Sequence, residues 1–180
     1  KTVSSSGSGN VAQYAAEKAM FLGAKVVTLS DSNGTVYLKN GFTEALLDEV
    51  MELKNVQRGR ISAFASKHGF EYFEGQTPWH IAVDIALPCA TQNELTGQDA
   101  EVLLQNGVMC VAEGANMPST LDAVEKFVHA KILYAPGKAS NAGGVATSGL
   151  EMSQNALRIG WTHAEVDERL HAIMKNIHAN

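Results

Sequence analysis

The sequence predicts an α/β domain, doubly wound around a mostly parallel sheet. Three observations carry that expectation. Short β-prone runs alternate with longer segments of helical period along the whole chain. A glycine turn, Gly7-Ser8-Gly9, joins the first of those runs to the first helix. The 180 residues, 45% hydrophobic and 18% charged, suffice for one domain with a sizeable core.

Taken in order, residues 1–6 form the first strand, which the glycine turn breaks. The helix that follows carries Ala12, Ala15, Ala16 and Ala19 on one side. Lys25 to Ser30 is a second strand ending at Asp31, and Gly34 and Gly41 bracket a short extended run from Thr35 to Leu38. Leu46, Leu47, Val50 and Met51 recur at helical spacing, and a further helix covers Ile61 to Lys67 before Gly69. Val83 to Leu87 is a strand that Pro88 ends, and Thr96 with Asp99 opens a helix. After a strand from Val108 to Ala112, Ser119 begins the next helix, and Ile132 to Tyr134 is a last short strand. The stretch Gly137 to Gly149 runs into a helix through Ile159. Thr162 and Glu165 have the spacing of a capping box for a final helix, with Val166, Leu170, Ile173, Met174 and Ile177 as its stripe.

The formal net charge of -5 gives no broad cationic field for nucleic acid. No apolar run approaches the length of about 18 residues that a membrane span needs. The start has no signal-peptide pattern, so an enzyme of the cytoplasm is expected. Cys89 and Cys110 form no CxxC pair and read as reduced, packed thiols. HExxH is absent, the six histidines share no motif, and no metal site is expected. Ser148 lacks a GxSxG elbow and is not read as a nucleophile. Asp84, inside an apolar strand, reads as a structural hydrogen-bonding group. Met152, Met174, Trp79 and Trp161 read as packing residues.

Gly7-Ser8-Gly9-Asn10-Val11-Ala12 fits GxGxx(G/A) between a strand and a helix, the Rossmann-like arrangement for a dinucleotide. The first glycine allows the tight turn, and the second lets backbone approach a pyrophosphate. The helix start then offers N–H groups to an anion. Asp31, at the end of the next strand, suits the ribose of NAD. Lys54, Arg58 and Arg60 suit the extra phosphate of NADP, although cations near a helix C-terminus also answer its dipole. These residues alone leave the two cofactors open.

Further strings follow: Leu87-Pro88-Cys89-Ala90-Thr91-Gln92-Asn93, Glu113-Gly114-Ala115-Asn116-Met117-Pro118, Lys138-Ala139-Ser140-Asn141-Ala142-Gly143-Gly144-Val145, and Ser148-Gly149-Leu150-Glu151-Met152-Ser153-Gln154-Asn155. With the glycine turn, they resemble the hexameric glutamate dehydrogenases of the Glu/Leu/Phe/Val dehydrogenase family. The likeness covers essentially the whole chain and is nearest the bacterial NADP-specific branch.

That resemblance implies reversible oxidative deamination of L-glutamate to 2-oxoglutarate and ammonia, with NADP as cofactor and NAD as the alternative. It implies that residues 1–180 are the NAD(P)-binding domain of a longer homohexameric enzyme. An N-terminal substrate domain and a C-terminal tail would lie outside the chain. The family's acid–base lysine and aspartate belong to the substrate domain, so no catalytic residue is assigned, and the 180 residues alone are expected to be inactive. By motif position, Gly7, Ser8, Gly9, Asn10 and Val11 would surround the pyrophosphate. Asp31, Lys54 and Arg60 would lie near the adenosine ribose and its phosphate, while Gln57 stands where the NADP branch carries another base. Ala90, Thr91, Gln92, Asn116 and Asn141 would meet the nicotinamide side, and Val145 and Ser148 the glutamate. The alternatives are an NAD-dependent branched-chain or aromatic amino-acid dehydrogenase, and a non-catalytic nucleotide-binding module.

Overall fold

Strands β1 (Thr2–Ser5), β2 (Lys25–Asp31), β3 (Gly34–Tyr37), β4 (Glu71–Glu74), β5 (Ile85–Leu87), β6 (Cys110–Ala112) and β7 (Leu133–Ala135) form one sheet. Its order in the computed structural model, which describes every residue from Lys1 to Asn180, is β4-β3-β2-β1-β5-β6-β7. The five strands from β2 to β7 in that order pair in parallel, while β3 and β4 add an antiparallel edge. The chain leaves β1 toward β2 on one side and later returns to β5 on the other. Strand order therefore reverses at β1, and the crevice at its carboxyl end is where such sheets hold ligands.

The helices are α1 (Asn10–Phe21), α2 (Glu44–Asn55), α3 (Ile61–His68), α4 (Gly97–Gln105), α5 (Leu121–Ala130), α6 (Gly137–Ser140), α7 (Ala142–Leu157) and α8 (His163–Ala179). Ala12 and Ala16 of α1 are fully buried, which lets the helix lie close to the sheet. They join Val3, Val26, Leu29, Leu47, Val50 and Phe64 in one apolar cluster. A second cluster, with Trp79, Leu95, Leu103, Val111 and Phe127, packs α4 and α5 beside β5 and β6. No helix is long and apolar enough to cross a membrane.

The middle strand is polar yet buried. Ser4, Ser5 and Thr28 are fully covered, and the pairing of β1 with β2 slips between Val3 and Ser4. One hydroxyl answers the displaced groups: Thr28 Oγ1 donates to the Ser5 carbonyl at 3.1 Å and accepts the Ser5 N–H at 3.0 Å. Ser4 Oγ lies 3.0 Å from the same oxygen. Buried polar groups are tolerated when paired in this way.

Several elements differ from the sequence reading. The capping boxes at Thr96–Asp99 and Thr162–Glu165 both form. Ser119, however, does not open a helix; Thr120 is the N-cap of α5, and Ser119 bridges to Leu95. The sequence reading omits β4 and a 3₁₀ turn at Pro78–His80, and it treats Gly137 to Gly149 as a lead-in where α6 and α7 are already helical. Met152, expected to pack, is exposed. Trp79 is fully buried, and Trp161 stacks under the Arg169 guanidinium, 4.3 Å from its ring centre.

Asp84 joins the strand starts as a structural group. Its carboxylate accepts the Thr2 N–H at 2.7 Å and the Lys1 ammonium at 3.1 Å. The Thr2 amide first, and Lys1 after it, hold its pKa down to about 2. A lowered folded-state value stabilises the fold above the ordinary carboxylate range, and that contribution is lost as pH falls toward the folded value. Asp84→Asn is thus expected to flatten the acid side of the stability curve between about pH 4 and pH 2. Thermal melts across that range check it.

Candidate functional site

At the carboxyl end of β1 the chain makes the turn Ser6-Gly7-Ser8-Gly9 and enters α1. Gly7 has φ +79°, and a Cβ there would stand 2.9 Å from the Cys89 carbonyl oxygen. The turn is tied to β2: Gly7 N–H donates to Ser30 Oγ at 2.9 Å, and Ser30 N–H to the Gly7 carbonyl at 3.0 Å. From behind, the buried Gln13 amide donates to the Ser8 carbonyl at 2.8 Å and pairs with Asn55 of α2. Gly9 is the N-cap of α1, supplies no side-chain cap, and has open space where a Cβ would project. No acidic residue occupies the first turn of α1. That helix start keeps its free N–H groups and its partial positive charge for an anion.

The turn opens on a cleft of about 620 Å³, large enough for a cofactor. Gly7, Ser8, Gly9, Asn10 and Val11 form one wall, with Asp31 and Lys54 at one end and Ala90 and Thr91 at another. The Asp31 side chain is only 7% exposed and lies 3.6 Å from Lys54 Nζ. Its two oxygens already accept the Asn33 and Ile61 N–H groups, each at 2.9 Å. Lys54, 18% exposed, also donates to the Gly59 carbonyl at 2.9 Å. Arg60 reaches the rim, where it donates to the Ser32 hydroxyl at 2.9 Å.

Across the cleft, Glu94 accepts the Ala90 N–H at 2.8 Å and closes the 90–94 loop on itself. Burial raises its pKa, opposed by the Ser6 hydroxyl and by the Ala90 and Thr91 amides. Burial also pushes the Cys89 thiol up to about 11, so it is no thiolate at neutral pH.

The loop after β6 lies alongside this wall. Gly114 and Ala115 donate to the Pro88 carbonyl, each at 2.9 Å, and the Asn141 side chain donates to the Gly114 carbonyl. Asn116 is exposed. Val145, 73% exposed, and Ser148 lie on the open side of α7.

A family model described as Glutamate/Leucine/Phenylalanine/Valine dehydrogenase matches residues 1–180. The chain belongs to that family. Within the family, it is 61% identical over 180 residues to the NADP-specific glutamate dehydrogenase of Haemophilus influenzae, covering 100% of this chain and 40% of that protein. The NADP-specific glutamate dehydrogenase of Escherichia coli is 60% identical over 176 residues, covering 98% of this chain and 39% of its own length. Among solved structures, Plasmodium falciparum glutamate dehydrogenase superposes with a TM-score of 0.92 at 50% identity, over 98% of this chain and 38% of its own. The chain thus spans about 40% of the length of the curated relatives it matches.

Of the residues singled out from sequence, Gly7, Ser8, Gly9, Asn10, Val11, Asp31, Lys54, Ala90 and Thr91 are brought together in this family member's cleft. Arg60 is linked to it through Ser32, whereas Gln92, Asn116, Asn141, Val145 and Ser148 are not among its walls. Sequence reasoning missed Gln76, Thr77 and Glu94, which do line it, and Gln13 behind it. Gln76 and Thr77 follow the antiparallel β4, a strand too short to announce itself. Gln13 had one legible signal, a polar side chain between Ala12 and Ala16 on the inward side of α1.

Proposed function

We propose that this chain is the cofactor-binding domain of a glutamate dehydrogenase that uses NADP in the reversible oxidative deamination of L-glutamate to 2-oxoglutarate and ammonia. The observation that carries the reading is the bare glycine turn at the head of α1, opening on a cleft whose far end holds Lys54 and Ser32, with Arg60 bonded to Ser32 at the rim. The names of relatives at about 60% identity support the same reaction and cofactor.

The residues fit such a cofactor. The open space at Gly9 and the uncapped start of α1 suit a pyrophosphate, received by the amides of Asn10 and Val11. Asp31 is spent on Lys54 and two backbone amides, so it is poorly placed to serve the free ribose hydroxyl of NAD. Lys54, held by that pairing, and Arg60 with Ser32 suit a 2′-phosphate instead. Ala90, Thr91, Gln92, Asn116 and Asn141 are proposed to face the nicotinamide half, and Val145 and Ser148 the glutamate. When bound, the cofactor supplies the hydride acceptor for the amino-acid Cα. The acid–base groups are proposed to belong to a substrate domain beyond these residues, and the complete enzyme to be a cytoplasmic homohexamer.

Calorimetry with NADP and NAD tests the cofactor assignment. NADP is expected to bind at least about tenfold more tightly, a difference of about 1.4 kcal/mol. Tighter binding of NAD would reverse the assignment. The 180 residues alone are expected to show no glutamate turnover, and appreciable turnover in a purified sample would relocate the acid–base chemistry to this chain.

A further inference from the structure

Glu113 follows β6 and is only 4% exposed. A carboxylate so covered is costly unless its oxygens are answered. Both are. The Tyr134 hydroxyl of β7 donates to Oε1 at 2.8 Å, and the Gly137 N–H donates to Oε2 at 2.7 Å. Burial, and then Glu113 itself, raise the Tyr134 pKa, which keeps that donor protonated. The main chain of Glu113 adds two bonds: its N–H donates to the Ala135 carbonyl at 3.0 Å, and its carbonyl accepts Ser140 Oγ at 2.6 Å. Gly137 comes in so closely that a Cβ there would stand 3.2 Å from both Glu113 Oε2 and the Ala115 carbonyl.

Three segments therefore converge on one side chain. They are the loop bearing Asn116, the strand bearing Tyr134, and the stretch ending at Asn141, whose amide is bonded to the carbonyl of Gly114. Glu113 itself is not among the residues that wall the cleft. We propose that Glu113 is a positioning residue, which locks the Asn116 loop to the Asn141 segment and so sets where the nicotinamide half of the cofactor rests. The inference rests on the NADP reading above. It explains why an acceptor-only group occupies a covered position: the Gly137 N–H can only donate, and the Tyr134 hydroxyl as placed donates too. An amide of the same size either sets its NH₂ against the Gly137 N–H or forces the Tyr134 hydroxyl to turn and accept, and either way the present bond pattern is lost.

The test uses the full-length protein and two variants, Glu113→Gln and Tyr134→Phe. Wild-type turnover of glutamate with NADP tests the functional reading by itself and provides the reference. Glu113→Gln is expected to lower kcat about tenfold, and Tyr134→Phe, which removes one donor, about threefold. Binding of 2′,5′-ADP, which carries only the adenosine end, is expected to stay within about twofold of wild type in both. A kcat drop without loss of 2′,5′-ADP binding upholds the positioning role. An unchanged kcat in the two variants, or parallel losses of kcat and 2′,5′-ADP affinity, would overturn it. Tyr134→Phe keeps the test open if Glu113→Gln fails to fold.

Discussion

Replacing Gly9 with threonine is expected to leave the melting temperature near that of the wild type while weakening NADP binding by about tenfold or more, about 1.4 kcal/mol. The two effects separate because the space beside Gly9 is empty. A Cβ there meets no atom within 4 Å, and its backbone, at φ -83° and ψ -173°, is open to any residue. Threonine and glycine are also near equals as N-caps. The added atoms would stand in the space assigned to the pyrophosphate. Gly7→Ala is expected to behave differently. There the left-handed backbone costs about 1–2 kcal/mol for a residue with a Cβ. In addition the methyl presses on the Cys89 carbonyl, so stability and binding should fall together. Melting curves beside titrations with NADP distinguish the pair, and equal behaviour of the two variants would refute the assignment of Gly9 to ligand space.

The second large effect is expected in the core. Trp79 is fully buried among Leu95, Leu103, Val111 and Phe127, with its indole N–H 3.4 Å from the Glu94 carbonyl. Trp79→Ala removes that packing and is expected to cost about 3–5 kcal/mol. Stability of a domain this size is of order 5–15 kcal/mol, so the variant should melt roughly 10 °C lower. Because Glu94 follows the cleft-lining Ala90 and Thr91, cofactor affinity should fall with it. Denaturant titration gives the first quantity; a loss under about 1 kcal/mol would show that the second apolar cluster does not depend on its tryptophan.

The fold was legible where local signals and tertiary packing agree. The alanine face of α1, the valine-rich β2, the helix start at Thr96 and the capping box at Thr162–Glu165 appear where the sequence predicts them. The glycine turn was legible too, by its context between a strand and a small-residue helix, since glycines alone join many strands to helices. What stayed hidden depends on distant partners. The four residues of β4 gain meaning only by pairing with β3, which lies across α2 and α3 in sequence. Asp31 illustrates the same limit within the site. Its position was legible, but its bonds to Asn33, Ile61 and Lys54 are not. Asn116 and Asn141 came from motif resemblance, and the sequence offered no hint that Glu113 ties their segments together.

The serine-rich central strand has a mechanical consequence. Oily side chains hold a backbone by contact, which is non-directional and forgives small slides. Hydroxyls aim: Thr28 grips Ser5 from both its donor and its acceptor side, Ser6 Oγ receives the Cys89 amide at 2.9 Å, and Ser30 Oγ receives that of Gly7. The joint between sheet and first helix is thereby bolted at defined angles, which fixes the direction in which the glycine turn presents its amides.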